Sequence, residues 1–280
     1  MDEAVSLLSA HGDETRVIAG GQSLLLMIRS GLVRPSSLLS LNALKELAEI
    51  KVTPEKNLYI GALATHSQIL YSRHTRERAN ILSQAVFRIG STAVRNFGTI
   101  GGNLCHNEMG SDPPPALLAL NASAECVSIR GKRKLPLAEL FTDYFETSLQ
   151  ADEILVGIEI PHPPPTIKGV YLKHANRSGD LAMVGVAAMM AIREGVCDEI
   201  RLALGGVGPV SFRATGAEDL LRQRTFDHRV VDEVAAAAAE MSDPISDAHA
   251  SADYRRKMVR VFVKRALQQA KQAIKDAEKI

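Results

Sequence analysis

The chain has 280 residues, 46% hydrophobic and 23% charged, enough to bury a sizeable core and to build two domains. A formal net charge of +1 argues against a nucleic-acid or membrane-surface binder working through a basic field, so an anionic ligand has to be held by local amides. Three widely spaced cysteines without a C-x-x-C argue against zinc or iron–sulfur ligation by this chain, and no apolar stretch reaches the length of a membrane span. The odd cysteine count and a start with neither basic nor hydrophobic run predict no secretory signal and a cytoplasmic protein with reduced thiols.

In chain order, Asp2 is a candidate cap for a helix carrying Val5, Leu7 and Leu8. Residues 16–19 read as a strand ending at Gly20-Gly21, the apolar run resumes over 24–28, and 38–41 reads as a short buried strand. Residues 49–52 and 58–61 flank a Thr-Pro-Glu-Lys-Asn turn and predict a hairpin. Thr65-His66-Ser67-Gln68 has the spacing of a capping box, and Ile81, Leu82, Ala85, Val86 and Ile89 recur at helical spacing. Pro113-Pro114-Pro115 suits a helix starting near Pro114 or Pro115, and 124–129 and 154–160 read as strands. Pro161-His162-Pro163-Pro164-Pro165 is a stiff connector that fits no sheet interior. Beyond it come three strands over 169–175, 183–192 and 200–204, the last two joined through Glu194-Gly195. A helix capped by Asp227 and a long amphipathic helix over 254–277 complete the chain.

Two glycine pairs carry the chemistry. Gly20-Gly21 follows Arg16-Val17-Ile18-Ala19 and precedes Gln22-Ser23. Gly101-Gly102, about eighty residues on, lies in Phe97-Gly98-Thr99-Ile100-Gly101-Gly102-Asn103. Adjacent glycines let the backbone turn sharply and approach a ligand with no Cβ in the way. Successive N–H groups in such turns form an anion-binding concavity, to which Ser23, Thr99 and Asn103 add side-chain donors. Two such loops can hold the two phosphates of a dinucleotide between them, whereas either alone is first of all a turn.

Ala19-Gly20-Gly21-Gln22-Ser23-Leu24-Leu25 and Thr99-Ile100-Gly101-Gly102-Asn103-Leu104 together resemble the two flavin-binding signatures of the FAD-binding medium subunit of molybdenum hydroxylases. That family includes the carbon monoxide dehydrogenase medium chain and the xanthine dehydrogenase FAD-binding subunit. Asp152-Glu153-Ile154-Leu155 leading to Ile158-Glu159-Ile160-Pro161, Tyr171-x-Lys173 with Arg177-x-x-Asp180, and Tyr254-Arg255-Arg256-Lys257-Met258 agree with it in order along the chain. The resemblance implies an α+β protein: a two-subdomain FAD-binding domain (PCMH-type) over 1–165, then a C-terminal domain over 166–280 with a three-stranded antiparallel sheet and helices. It implies that Arg16, Val17, Ile18, Ala19, Gly20, Gly21, Gln22, Ser23 and Leu24 wrap the FAD pyrophosphate. Thr99, Ile100, Gly101, Gly102 and Asn103 take its other side and the ribityl chain. Asp112 makes a polar cofactor contact, Ile89 and Leu155 pack on the cofactor, and Lys173 stands near the polar edge of the flavin, where its charge favours the anionic reduced form. Leu181 stands where some relatives place an aromatic against the ring.

By the same resemblance FAD is non-covalent, and the chain carries neither metal nor catalytic residue of its own. It takes electrons from a small [2Fe–2S] subunit, served by a large subunit bearing the molybdenum cofactor, and passes them to an acceptor such as NAD⁺ or a quinone, in a dimer of heterotrimers. Two departures stand out: the strand that precedes the first helix in relatives is missing before Met1, which predicts a truncated or misassigned start, and His106-Asn107-Glu108-Met109 replaces a stretch of small residues.

Competing readings are blander. His106-x-Glu108 lacks the Pro-Cys-x-x-Cys of a zinc deaminase, and Gly205-Gly206-Val207-Gly208 lacks the third glycine of a dinucleotide fingerprint and reads as a turn. Lys173 alone also reads as a surface lysine, Arg177 and Asp180 as a structural pair, and Cys105 as a buried packing thiol. A non-catalytic flavin- or nucleotide-binding assembly module and a stand-alone flavin oxidase are the alternative functions. The oxidase is disfavoured by an aromatic content of 4% with no tryptophan.

Overall fold

The computed structural model describes residues 1–12 and 14–278. The first unit is small: α1 (Asp2–His11), β1 (Thr15–Ile18), α2 (Leu24–Arg29) and β2 (Ser37–Ser40), with β1 and β2 parallel as the α2 crossover requires. Asp2 is not the cap. Met1 takes that place, and Asp2 sits inside the first turn, where its charge complements the helix N-terminus. The apolar run 24–28 is helical, and β2 is not buried: Leu38 is 44% exposed, and burial begins only at Leu41.

The second unit opens with the expected hairpin of β3 (Ile50–Val52) and β4 (Leu58–Gly61), followed by five short helices. These are α3 (His66–Tyr71), α4 (Arg73–Arg78), α5 (Asn80–Phe87), α6 (Thr92–Phe97) and α7 (Ile100–His106), with α8 (Pro113–Ala119) after them. The capping box at Thr65 and Gln68 is formed in both directions. Prolines at the start of α8 satisfy a position whose N–H has no helical partner, and that start lies at Pro113 rather than Pro114 or Pro115. Then come β5 (Ser123–Ser128), β6 (Gly131–Pro136), a small ladder of β7 (Phe141–Asp143) and β8 (Glu146–Thr147), and β9 (Ile154–Ile160). The antiparallel sheet runs β3-β4-β9-β5-β6. One face buries Leu58, Ile60, Ala124 and Ile158 among the helices. The other presents Ile154 and Val156 to Ala4, Val5 and Leu8 of α1, which is how the first unit is attached.

After the proline segment, β10 (Lys168–His174), β11 (Val184–Arg193) and β12 (Val196–Gly205) form the expected antiparallel sheet, lengthened by a two-residue strand, β13 (Phe212–Arg213). Glu194 and Gly195 both have positive φ, 51° and 80°, as a two-residue hairpin turn demands. α9 (Thr215–Asp219), α10 (His228–Glu240, capped by Asp227) and α11 (Ala252–Ala277) follow. Both faces of this sheet are buried. Val184, Val186, Ala188 and Met190 of β11 pack with Val234 of α10 and Val263 of α11. Ala187, Met189 and Ala191 join the core built by α5 and α8.

Candidate functional site

The first glycine motif is an open turn between β1 and α2. Gly21 has φ +69°, a conformation that side-chain-bearing residues rarely adopt, and a Cβ on Gly20 would stand 2.0 Å from the Phe97 carbonyl oxygen. Gln22 Nε2 donates to Gly20 O at 3.2 Å and closes the turn. Among the described residues, the backbone N–H groups of Gly20, Gly21, Gln22, Ser23 and Leu24 donate to no protein acceptor. Ser23 caps α2 by position without a side-chain bond. Five successive unpaired amides in a left-handed turn form the concavity expected for phosphate oxygens. Upstream, Arg16 is exposed, while Val17 and Ala19 pack against the first unit's core and Ile18 and Leu24 are half-buried.

The second glycine motif is built differently, and here the expectation of a turn is corrected. Gly101-Gly102 lies in the first turn of α7, capped by Thr99, whose Oγ1 accepts from Gly102 N at 3.2 Å. Ile100 N donates to Ala64 O at 3.0 Å and Gly101 N to Ala62 O at 2.8 Å, so these amides are already paired within the protein. A Cβ on Gly101 would meet Ala62 Cβ at 2.6 Å; on Gly102 it would meet only Thr99 Oγ1, at 3.0 Å. Gly101 is thus a packing glycine, and Gly102 is exposed with little against it. Asn103 Oδ1 accepts from Ser111 Oγ at 2.8 Å, which leaves the Nδ2 donors for a ligand. Cys105 is exposed on α7, not buried as expected. The protein packed around it raises its thiol to about 12. His106 is half-buried with its ring 5.2 Å from that of Phe145.

The two motifs meet at Phe97-Gly98, and His66 braces the junction. Its backbone N–H donates to Gly98 O at 3.0 Å, and a Cβ on Gly98 would lie 3.0 Å from its ring. His66 is 2% exposed, with Nδ1 lacking a hydrogen-bond partner. Burial, with help from the Arg95 charge, lowers its pKa to about 4, so the ring is neutral at physiological pH. In the sequence His66 is marked only by its place in the Thr65–Gln68 cap.

Asp112, 3% exposed at the start of α8, accepts from Tyr171 Oη at 2.7 Å and from Lys173 Nζ at 2.7 Å. Lys173 also donates to Arg88 O at 3.1 Å. Lys173 is not a surface lysine: its side chain is 6% accessible. Its charge faces a carboxylate, which tempers the expected net cation beside the flavin, and two of its three protons are taken, leaving one for a ligand. Burial raises the Asp112 carboxyl above the usual range, with Lys173 and Tyr171 pulling the other way. Tyr171 was visible only as a family mark. That it shares a face with Lys173 follows from their spacing of two along a strand. Arg255 of α11, 2% exposed, donates to Met183 O and Gly206 O at 2.9 Å each. Gly206 N and Ala182 N in turn hold Met109 O and Gly110 O, fixing the approach to Asp112. Gly206 has φ +77°, in keeping with a turn.

Ile89 is half-buried between α5 and α6, and Leu155 is 4% exposed in the core with Ile100 and Leu104. Arg177 and Asp180 share a backbone turn bond at 3.3 Å, with no side-chain pair between them, and Leu181 beside them is 57% exposed. Among the described residues, no group of three or more His, Cys, Asp or Glu is placed to hold a metal.

Unpaired amides at the first glycine motif and an exposed Gly102 at the second, the two motifs touching at Phe97-Gly98, fit an extended anionic cofactor. This is the architecture of a flavin-binding oxidoreductase subunit. The chain belongs to the FAD-binding medium subunits of molybdenum hydroxylases: residues 1–163 match the FAD binding domain in molybdopterin dehydrogenase, and 170–270 the CO dehydrogenase flavoprotein C-terminal domain. It is similar to subunit alpha of the 6-hydroxypseudooxynicotine dehydrogenase complex of Paenarthrobacter nicotinovorans, with 34% identity over 96% of this chain and 91% of that one. Among solved structures it resembles carbon monoxide dehydrogenase from Hydrogenophaga pseudoflava, with a TM-score of 0.93 and 33% identity over 96% of this chain and 93% of that one. Quinoline 2-oxidoreductase from Pseudomonas putida 86 gives a TM-score of 0.92 and 32% identity over 98% and 95%.

Proposed function

We propose that this chain is the electron-transfer station of a molybdenum hydroxylase, receiving electrons from a [2Fe–2S] subunit and delivering them to an acceptor such as NAD⁺ or a quinone. Bound FAD supplies the redox chemistry, accepting electrons singly and releasing them in pairs. The chain's own residues bind and orient. The amides of 20–24 hold the diphosphate, assisted by Ser23. Thr99 keeps Gly102 clear by capping α7, and Asn103 offers donors from the opposite side. Lys173 directs its remaining proton to the cofactor, while Asp112 and Tyr171 fix its position. The row of unpaired amides is the observation that carries the reading, because Gly20, Gly21 and Gln22 extend the free donors of the α2 start into one continuous set that a single anionic group can use.

We further propose that the flavin-binding part ends at the proline segment near residue 165, and that substrate is chosen on a large molybdenum-bearing subunit. Relatives of nearly equal identity are named for a nicotine derivative, carbon monoxide and quinoline, which points to substrate selection outside the medium subunit. A cytoplasmic dimer of heterotrimers is the expected assembly. The purified chain should be yellow and should release unmodified FAD on denaturation. Substrate should bleach the flavin in the assembled complex and leave the isolated chain oxidised. Rapid bleaching of the isolated chain would instead make it a self-sufficient oxidase.

A further inference from the structure

The helix α2 has the sequence Leu-Leu-Leu-Met-Ile-Arg and no buried residue. Leu24, Met27 and Ile28 turn inward but are only half-buried, and Leu25 and Leu26 face outward, so this apolar helix is incompletely covered. Leu26 is 62% exposed, and Leu32, in the turn that follows, 77%. A Cβ on Gly21 would touch both Leu25 Cδ1, at 2.8 Å, and Ile18 Cδ1, at 3.6 Å, so α2 lies over the β1 face that carries Ile18. Arg16, two residues earlier, shares that face, and its cross-strand partner is Leu38, 44% exposed. Helix and strand face therefore make one continuous apolar surface beside the first glycine motif.

Its charge is one-sided. Residues 15–45 contain Arg16, Arg29, Arg34 and Lys45 and not a single Asp or Glu. The three arginines are exposed, and among the described residues none of them pairs with a carboxylate. Elsewhere most arginines have a carboxylate partner, as Arg130 has Asp152 and Arg133 has Glu153, with exposed Arg76 and Arg177 as exceptions among the described residues.

We propose that this surface docks a different polypeptide of the same complex, one whose contact face has an apolar centre inside an acidic rim. The proposal rests on the electron-transfer reading above. A second copy of this chain is disfavoured, because a two-fold contact would set arginine against arginine around the leucines. A membrane surface is disfavoured too: 15–45 holds no Trp, Tyr or Phe, the residues that anchor interfacial segments, and three of its four cations are arginine, which protein interfaces favour over lysine. Exposed apolar patches of this kind, rimmed by charge, mark protein contacts.

The test uses the complex assembled from its full-length subunits. Two double variants are compared with wild type, Leu26→Glu with Leu32→Glu and Arg29→Glu with Arg34→Glu, by light scattering on size exclusion and by flavin content. The leucine pair should weaken association about a hundredfold, as loss of a central apolar anchor does. The arginine pair should weaken it about tenfold and flatten its salt dependence. Both should keep their FAD, since no substituted residue is in the core. Wild-type association in both variants overturns the proposal. So does loss of FAD from an intact complex, which would make the leucines part of the cofactor site. An isolated wild-type chain that dimerises through this face, or that binds phosphatidylserine vesicles through it, also overturns it. Should the leucine pair unfold, the arginine pair alone decides. A wild-type chain that assembles with no molybdenum or iron–sulfur subunit would bring down the functional reading itself, an outcome distinct from failure of the variants.

Discussion

The same dipeptide does two different jobs in this molecule. Gly20-Gly21 is an open turn whose amides lack partners, while Gly101-Gly102 is helical and its amides are bonded to Ala62 and Thr99. In the first motif glycine supplies a backbone conformation, +69° at Gly21. In the second, Gly101 supplies room for a neighbouring chain segment and Gly102 an unobstructed surface. A glycine pair near a cofactor therefore identifies a close approach without saying what approaches, and only the bonding of each amide tells ligand from protein.

Substitutions separate these roles. The largest effect is expected from Gly101→Val, whose side chain would enter the Ala62 backbone; about 3 kcal/mol of stability should be lost, read by chemical denaturation, with FAD binding lost as well. An unchanged midpoint would show that the second motif is not a packing joint. Acid should open the same joint. His66 has a folded pKa lowered to about 4, against 6.5 when unfolded, so the unfolded chain binds the extra proton and stability falls as pH drops from about 6.5 towards 4. The loss approaches 3 kcal/mol at the acid end on the order-of-magnitude scale of such shifts. His66→Gln should flatten that slope in thermal melts taken across the range, and an unaltered slope would acquit His66.

Gly102→Ala is the sharper contrast with Gly101. Its Cβ meets only the Thr99 hydroxyl, so the melting temperature should hold while the FAD dissociation constant rises about tenfold, near 1.4 kcal/mol. Equal FAD affinity, measured by titration of the apoprotein, would remove Gly102 from the site. The smallest effect belongs to Gly21→Ala, which forces a side chain into the left-handed region at a cost of about 1 kcal/mol in stability. FAD affinity should drop with it, because the amide concavity depends on that conformation.

Much of this was legible in the residues. Thr65-x-x-Gln68, Asp227 and Glu194-Gly195 are local signals, with chemistry that acts within four positions, and the structure uses each as read. The C-terminal sheet was legible because its strands are long apolar runs. β6 was not, because Lys132, Arg133 and Lys134 show no apolar alternation; it is an exposed edge strand, where charges are tolerated and deter further pairing. The helical setting of the second glycine pair was hidden because two glycines favour neither turn nor helix, and what decides is Ala62 and Ala64, nearly forty residues upstream. Asp112 and Lys173 were each marked by family resemblance, but their pairing spans 61 positions and becomes visible only once α8 and β10 are packed.

The doubly buried C-terminal sheet has a consequence for synthesis. Because Ala187, Met189 and Ala191 complete the core that α5 and α8 begin, those two helices leave the ribosome with an apolar flank bare. The missing cover, β10 to β12, ends at Gly205, some forty residues after the proline segment. At about 5–20 residues per second the nascent chain waits several seconds for it. During that interval the flank is a binding site for chaperones or for another nascent chain, so the yield of this protein in a foreign host should respond more to elongation rate and holdase supply than to the stability of the finished fold.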